Sequence, residues 1–201
     1  MANPNALLIF IKNPEKGKVK TRLAKTLGDD QALAIYHRLL KHTRTISISL
    51  EIKRYLYYSQ FIDQQDDWPN QQFDKQLQAS GDLGNRMKSA FAEHLSAHQK
   101  VLIIGSDCAQ LRSDHLQAAL TMLDQREVVI GPAKDGGYYL IGMRSRQDFI
   151  FENMPWSQEN LLEQTLKKLR EQSVSYELLP ELSDVDTEAE WKAFGAPYVF
   201  D

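Results

Sequence analysis

Residues 9–30, IFIKNPEKGKVKTRLAKTLGDD, leave an apolar run and then place Lys12, Lys16, Lys18, Lys20, Arg22 and Lys25 within a short span. Pro14 and Gly17 mark a turn, and the segment from Lys20 to Leu27 reads as a short helix closed by Gly28. A glycine-bearing turn that runs into a helix N-terminus presents backbone N–H groups without partners. Added Lys and Arg side chains make such a turn an anion cradle. The G-x-x-x-x-G-K-[ST] spacing of a Walker A loop is absent. A lysine cluster alone fits a solvated helix end better than a cradle; its place directly after the first apolar strand reverses that preference.

Acidic residues sit at comparable positions elsewhere. Asp107 follows the apolar run Val101–Ile104, where a carboxylate can reach a divalent ion that also touches phosphate oxygens, since Mg²⁺ takes one or two carboxylates plus substrate oxygens. Capping the next turn is its structural alternative. Cys108 beside it reads as a small buried hydrophobe, with no histidine near in sequence to activate it. In Asp184-Val185-Asp186-Thr187 two carboxylates two residues apart face the same way if the chain is extended. Asp186 also precedes a helix start, where negative charge is favourable. Taken with Asp107, it becomes the candidate second metal ligand.

Two glycine-bearing stretches complete the set. In GPAKDGGYYLIG, residues 131–142, Gly136 and Gly137 could simply supply positive φ in a turn, but they could also let a ligand approach the backbone beside Asp135. In GDLGNRM, residues 81–87, Arg86 stands near a helix entry and could help hold a phosphate or a base. His37, His42, His94, His98 and His115 fall in or near polar helical patterns and are expected to face solvent and not a metal. Trp156 reads as a packing anchor.

The elements that must position these residues alternate. Leu7–Ile11, Tyr55–Tyr58, Val101–Ile104 and Val128–Ile130 are short apolar runs bounded by polar or glycine positions, hence buried strands. Apolar residues at helical spacing cover 32–43, 116–123 behind an expected N-cap at Ser113, and 162–169 behind Ser157. Thr187 and Glu190 form a capping box. Tyr138–Met143 is expected as an antiparallel strand at a sheet edge or in a subdomain, and Asp63–Gln72 as an exposed loop. Alternating strands and helices predict an α/β fold with a mostly parallel central sheet, in which ligands bind beyond the carboxyl ends of the strands.

At 201 residues, 42% of them hydrophobic, the chain predicts one domain over 1–201. A net charge of −3 argues against a general binder of nucleic acid or anionic membrane. One cysteine allows neither an internal disulfide nor a thiolate zinc site, and no run approaches membrane-spanning length, so the expected location is cytoplasmic.

The segments FIKNPEKGKVKTRLA, GDLGNRM, GSDCAQL, GPAKDGGYYLIG, PWS and DVDT, in order over residues 10–187, resemble the bacterial DUF2064 family of GT-A-like proteins of the nucleotide-diphospho-sugar transferase fold. More distantly, KTRLA and DVDT are similar to segments of the phospholactate guanylyltransferase and molybdenum-cofactor nucleotidyltransferase families. The resemblance implies a three-layer α/β/α Rossmann-like GT-A sandwich. It implies Lys12, Lys20 and Arg22 as phosphate contacts, Asp107 as principal ligand of Mg²⁺ or Mn²⁺, Asp186 as second ligand, and Asp135, Gly136 and Gly137 on the acceptor side. Ala109 stands where the family pattern usually has proline.

The expected function is therefore a metal-dependent transferase acting on a nucleotide-activated donor and a small-molecule acceptor. A nucleotide sugar leads as donor, with Asp107 and Asp135 as catalytic residues and Asp135 as general base. Nucleotidyl transfer from an NTP to a phosphorylated acceptor, with release of pyrophosphate, is the alternative. A non-catalytic nucleotide-binding module is the third reading.

Overall fold

The computed structural model describes residues 4–195, so the two ends of the expected 1–201 span lie outside the described residues. Seven strands form one sheet: β1 (Asn5–Ile11), β2 (Lys53–Tyr58), β3 (Asp74–Leu77), β4 (Lys100–Ile104), β5 (Val128–Pro132), β6 (Tyr138–Met143) and β7 (Tyr176–Leu178). Their order is β3-β2-β1-β4-β6-β5-β7. All pairings are parallel except those of β6, which runs antiparallel to both β4 and β5. The expected mostly parallel α/β sheet is thus present.

Period-two alternation along β1 builds the layers. Leu7, Ile9 and Ile11 pack into a cluster with Tyr36 and Leu40 of helix α2 (Asp29–Ile48) and Leu116, Ala119 and Leu120 of α4 (Ser113–Met122). Ala6 and Leu8 turn the other way, onto Met87, Ala90 and Phe91 of α3 (Leu83–His94) and Leu169 of α5 (Leu161–Glu171). Both faces of the sheet are therefore covered, as a parallel sheet requires. A third, smaller cluster joins Leu23 of α1 (Thr21–Leu27) to Ala32, Ile35, Leu39, Ala109, Val185 and Trp191. Ala109, the departure from the family pattern, is buried in this cluster.

Several expectations are corrected. The strand Tyr138–Met143 lies inside the sheet, not at its edge, because Tyr139 to Met143 are buried on both faces. Edge strands β3 and β7 carry polar, partly exposed residues and so lack the apolar run that marks a buried strand. Ser113 is the first residue of α4, after Arg112. Ser157 does not cap α5; it has φ of 63°, and the helix opens after Asn160.

The loop 63–72 is pinned, not merely exposed. Trp68 is buried edge-on against Phe73, and Asp66 is paired with Lys75 at 2.6 Å and accepts the Tyr58 hydroxyl. Nor do all five histidines face solvent: His94 and His98 are buried, their Nε2 atoms 2.7 Å from the Tyr57 hydroxyl and 3.1 Å from the Tyr55 hydroxyl. Trp156 lies against the first turn of α3, where Gly84 leaves room for its ring. No helix among the described residues is long and apolar enough to cross a membrane.

Candidate functional site

The strand order reverses between β1 and β4: the chain steps outward from β1 to β2 and β3, then returns to the far side of β1. The crevice beyond the carboxyl ends of these two strands is the expected ligand site of such a sheet. Tyr36 of α2 joins the two strand-end loops. Its hydroxyl accepts from the Lys12 N–H at 3.0 Å, donates to the Lys12 carbonyl at 3.0 Å and lies 3.2 Å from Ser106 Oγ. Burial pushes this phenol up to about 12, so it stays a neutral donor and acceptor.

On the other side, buried Asn13 donates through Nδ2 to the Phe61 carbonyl at 2.8 Å and accepts at Oδ1 from the Gln60 N–H at 3.0 Å. These bonds fix the loop after β1 to the loop after β2, so the basic segment starts from a rigid base.

The basic residues divide by environment. Lys12, Lys18, Arg22 and Arg86 line the crevice. Lys16 instead pairs with Asp30 at 2.6 Å on the surface. Arg86 is aimed by two acceptors, the Gly81 carbonyl at 3.0 Å and Gln78 Oε1 at 3.3 Å. Gln78 is itself oriented, since its Nε2 donates to the carbonyls of Ile11 and Tyr57 at 3.0 and 3.1 Å.

Lys20 differs from its neighbours. It precedes α1 with φ of 48° and ψ of 43°, a left-handed conformation uncommon for a residue with a side chain. Its side chain is 4% exposed, and the ammonium lies 2.7 Å from Asp107 Oδ1 and 3.1 Å from Asp186 Oδ1. Burial alone would lower its pKa and is the largest influence. The combined attraction of Asp107 and Asp186 outweighs it, so the ammonium is held charged well above the usual lysine range. Lys20 is not among the residues that line the crevice.

The carboxylates converge because Val185 does. Its side chain is fully buried in the small cluster and its N–H donates to the Asp107 carbonyl at 2.9 Å, which draws the segment to the end of β4. Alternation then sends Asp184 and Asp186 to the opposite side, into the crevice. Asp186 is also close to Arg22, whose guanidinium lies 3.7 Å from Oδ2. The expected capping box is present: Glu190 Oε2 accepts from the N–H groups of Asp186 and Thr187 at 2.9 and 2.8 Å.

Asp184 is pushed up to about 8, first by burial and then by repulsion from Asp107, Asp135 and Asp186, with Lys20 opposing. Asp107 and Asp186 remain about 44% and 42% exposed on their side chains. Cys108 is buried and its thiol is pushed up to about 12, chiefly by that burial, which agrees with a packing role.

The whole crevice is a cavity of about 860 Å³. That is within the range of roughly 300–1,000 Å³ usual for small-molecule sites. It brings together Lys12, Arg22, Arg86, Asp107, Asp135, Gly137 and Asp186. Gly136 is not part of the lining: with φ of +86° it presses on the next loop, where an added Cβ would lie 1.8 Å from the Glu159 carbonyl oxygen. Gly137 has no positive φ; its N–H donates to Asp135 Oδ1 at 2.9 Å.

Sequence reasoning passed over Tyr36, Asn13 and Gln78 as site residues. Tyr36 was visible only as part of an apolar helix face; Asn13, between Lys12 and Pro14 at a strand end, was the one with a local signal. Among the described residues, no group of three or more His, Cys, Asp and Glu is placed to hold a metal ion. The oxygen pair of Asp107 and Asp186 suits a hard divalent ion that completes its shell with phosphate oxygens and water, and an ammonium cation already sits against that pair.

The sheet order with one reversed inner strand, together with this crevice, defines the nucleotide-diphospho-sugar transferase class of fold. The chain belongs to the DUF2064 family, described as an uncharacterized protein conserved in bacteria, whose model matches residues 43–158. That span contains Arg86, Asp107 and Asp135, but neither the basic loop nor Asp186.

A crystallised protein from Desulfovibrio desulfuricans G20, provisionally named a nucleotide-diphospho-sugar transferase, is 32% identical with a TM-score of 0.86, over 93% of this chain and 84% of that one. The inositol-1-phosphate CTP transferase of T. maritima shares the fold at 13% identity and a TM-score of 0.58, over 94% and 92% of the two chains. Rv0371c of Mycobacterium tuberculosis H37Rv, crystallised in complex with manganese, does so at 10% identity and a TM-score of 0.56, over 94% and 97%. No curated protein matches the chain.

Proposed function

We propose that the chain is a metal-dependent transferase that takes a nucleotide-activated donor, with a nucleotide sugar as donor and a hydroxyl-bearing small molecule as acceptor. The observation that carries this reading is the meeting of cations and carboxylates in one cavity. Lys12, Lys18, Arg22 and Arg86 line it together with Asp107, Asp184 and Asp186. A diphosphate held between cationic side chains and a carboxylate-bound divalent ion is the arrangement that neutralises a phosphate leaving group.

The lining also includes Asp135, Gly137, Tyr138, Ser157, Gln158 and Glu159. Lys134 is turned onto the Phe194 ring, 4.6 Å from its centroid. A hydroxyl acceptor beside Asp135 finds hydrogen-bond partners and a base, which favours glycosyl transfer. The density of cations in the lining suits a triphosphate as well as a diphosphate, which keeps transfer from an NTP as the second reading. Names of fold relatives, the D. desulfuricans protein on one side and the CTP transferase on the other, support the two readings respectively.

In the leading reading Asp107 and Asp186 would hold Mg²⁺ or Mn²⁺, which would supply Lewis-acid stabilisation of the departing diphosphate. Lys12 and Arg22 contact the phosphates, and Arg86, braced by Gln78, contacts the phosphate or the base. The acceptor oxygen bonds to the sugar carbon as the carbon–oxygen bond to the diphosphate breaks and the electron pair leaves with the phosphate. Asp135 takes the hydroxyl proton on Oδ2, since Oδ1 is engaged with the Gly137 N–H.

The experiment is thermal denaturation with Mn²⁺ across UDP-, GDP- and dTDP-sugars and the four NTPs. Metal-dependent stabilisation by at least one nucleotide sugar is expected. Stabilisation by NTPs alone would replace the leading reading with the second, and no metal-dependent stabilisation by any of them would overturn both.

A further inference from the structure

Among the basic residues of the loop after β1, Lys20 alone is buried and paired with two carboxylates at once. We infer that Lys20 is a built-in counter-ion that keeps a divalent cation off Asp107 and Asp186 until donor phosphates arrive. This rests on the site assignment given under Proposed function and adds the order in which the site fills.

With Lys20 in place, the Asp107–Asp186 pair carries a net charge of about −1, and an incoming dication meets an ammonium already within 2.7 and 3.1 Å of its two ligands. At such separations like charges repel strongly even with an effective protein dielectric of about 20. The phosphates of a donor bring back the missing negative charge, so metal and nucleotide favour each other's binding.

The backbone shows that Lys20 is held where it is. The left-handed conformation is unfavourable for a residue with a side chain and persists where the surroundings fix it. Here that conformation turns Lys20 inward, while the side chains of Lys18 and Arg22 on either side are 58% and 72% exposed. A solvated lysine at the end of a helix needs no such geometry.

The test is a titration of Mn²⁺ alone, followed through loss of the aqueous Mn²⁺ electron paramagnetic resonance signal. The wild-type protein, Lys20→Met, Lys20→Arg and Lys20→Met/Asp107→Asn are compared. Weak binding is expected for the wild type and Lys20→Arg, at least tenfold tighter binding for Lys20→Met, and loss of the gained affinity in the double variant. The inference is overturned if Lys20→Met binds Mn²⁺ no more tightly than the wild type, as it would if Lys20 merely orients the carboxylates. It is also overturned, without need of any variant at Lys20, if the wild type binds Mn²⁺ tightly in the absence of nucleotide and Asp107→Asn removes that binding. That last outcome would leave the assignment of Asp107 standing. Failure of the assignment itself shows differently: nucleotide with Mn²⁺ then stabilises wild type and Asp107→Asn alike.

Discussion

Asp107→Asn is expected to weaken metal-dependent nucleotide binding by about two orders of magnitude, close to 2.8 kcal/mol at about 1.4 kcal/mol per tenfold, with the fold intact. The loss follows from the small number of protein ligands. In the proposed site the protein's ligands are Asp107 and Asp186, so removing one charge would remove half of what the protein contributes. Survival of the fold follows from the remaining contacts. The carbonyl of residue 107 still accepts from the Val185 N–H, Lys20 keeps Asp186 at 3.1 Å, and the Asp107 side chain is nearly half exposed. Asp184 also loses its strongest repelling neighbour. Isothermal titration with nucleotide in the presence and absence of Mn²⁺, alongside urea denaturation, separates the two effects. Unchanged affinity would move the metal site away from Asp107.

Gly136→Ala is expected to be the most damaging single substitution in the loops around the cavity, at about 3 kcal/mol or more of stability. Two causes add. The φ of +86° disfavours any side chain, and the new methyl carbon would lie 1.8 Å from the Glu159 carbonyl oxygen, which is backbone and cannot swing aside. The Gly136 carbonyl also accepts from the Leu162 N–H at 2.8 Å at the start of α5, so displacement of one loop carries the other with it. Gly17→Ala is the control. It shares a positive φ of +75°, but its added Cβ would meet Asp29 only at 3.6 Å, an ordinary contact, so a cost of about 1 kcal/mol is expected. Equal midpoints in urea for the two variants would show that loop contact contributes nothing beyond backbone preference.

The elements with strong periodicity were legible. The apolar runs that became β1, β2, β4 and β5, and the helical faces of α2, α4 and α5, are carried by side chains that bury on one or both sides of the sheet. What escaped was decided by context. The edge strands β3 and β7 are short and partly exposed, so no hydrophobic run announces them. The inner place of β6 depends on which strands flank it, which a local pattern does not contain. His94 ends α3 and His98 lies just beyond it, yet Tyr57 and Tyr55 on β2 bury and bond them across a long separation in sequence.

The candidate site was legible as residue types at strand ends: Lys12 after β1, Asp107 after β4 and Asp135 after β5 do come to one cavity. Asp184 and Asp186 were visible as a pair, and the burial of Val185 between them is what turns that pair inward. The separate fate of Lys20 was not legible, because nothing in KVKTRLA distinguishes a lysine facing phosphate from one turned back onto carboxylates. The two glycines beside Asp135 also part company. Gly136 serves close packing, and Gly137 holds the aspartate through its N–H.

The most direct test of the nucleotide–metal assignment is the manganese anomalous signal in crystals soaked with Mn²⁺ and the nucleotide that stabilises the protein best. One peak is expected in contact with the carboxylates of Asp107 and Asp186 and with phosphate oxygens of the nucleotide, whose remaining oxygens face Lys12 and Arg22. A peak elsewhere, or a nucleotide whose phosphates lie away from the loop after β1, would contradict the assignment.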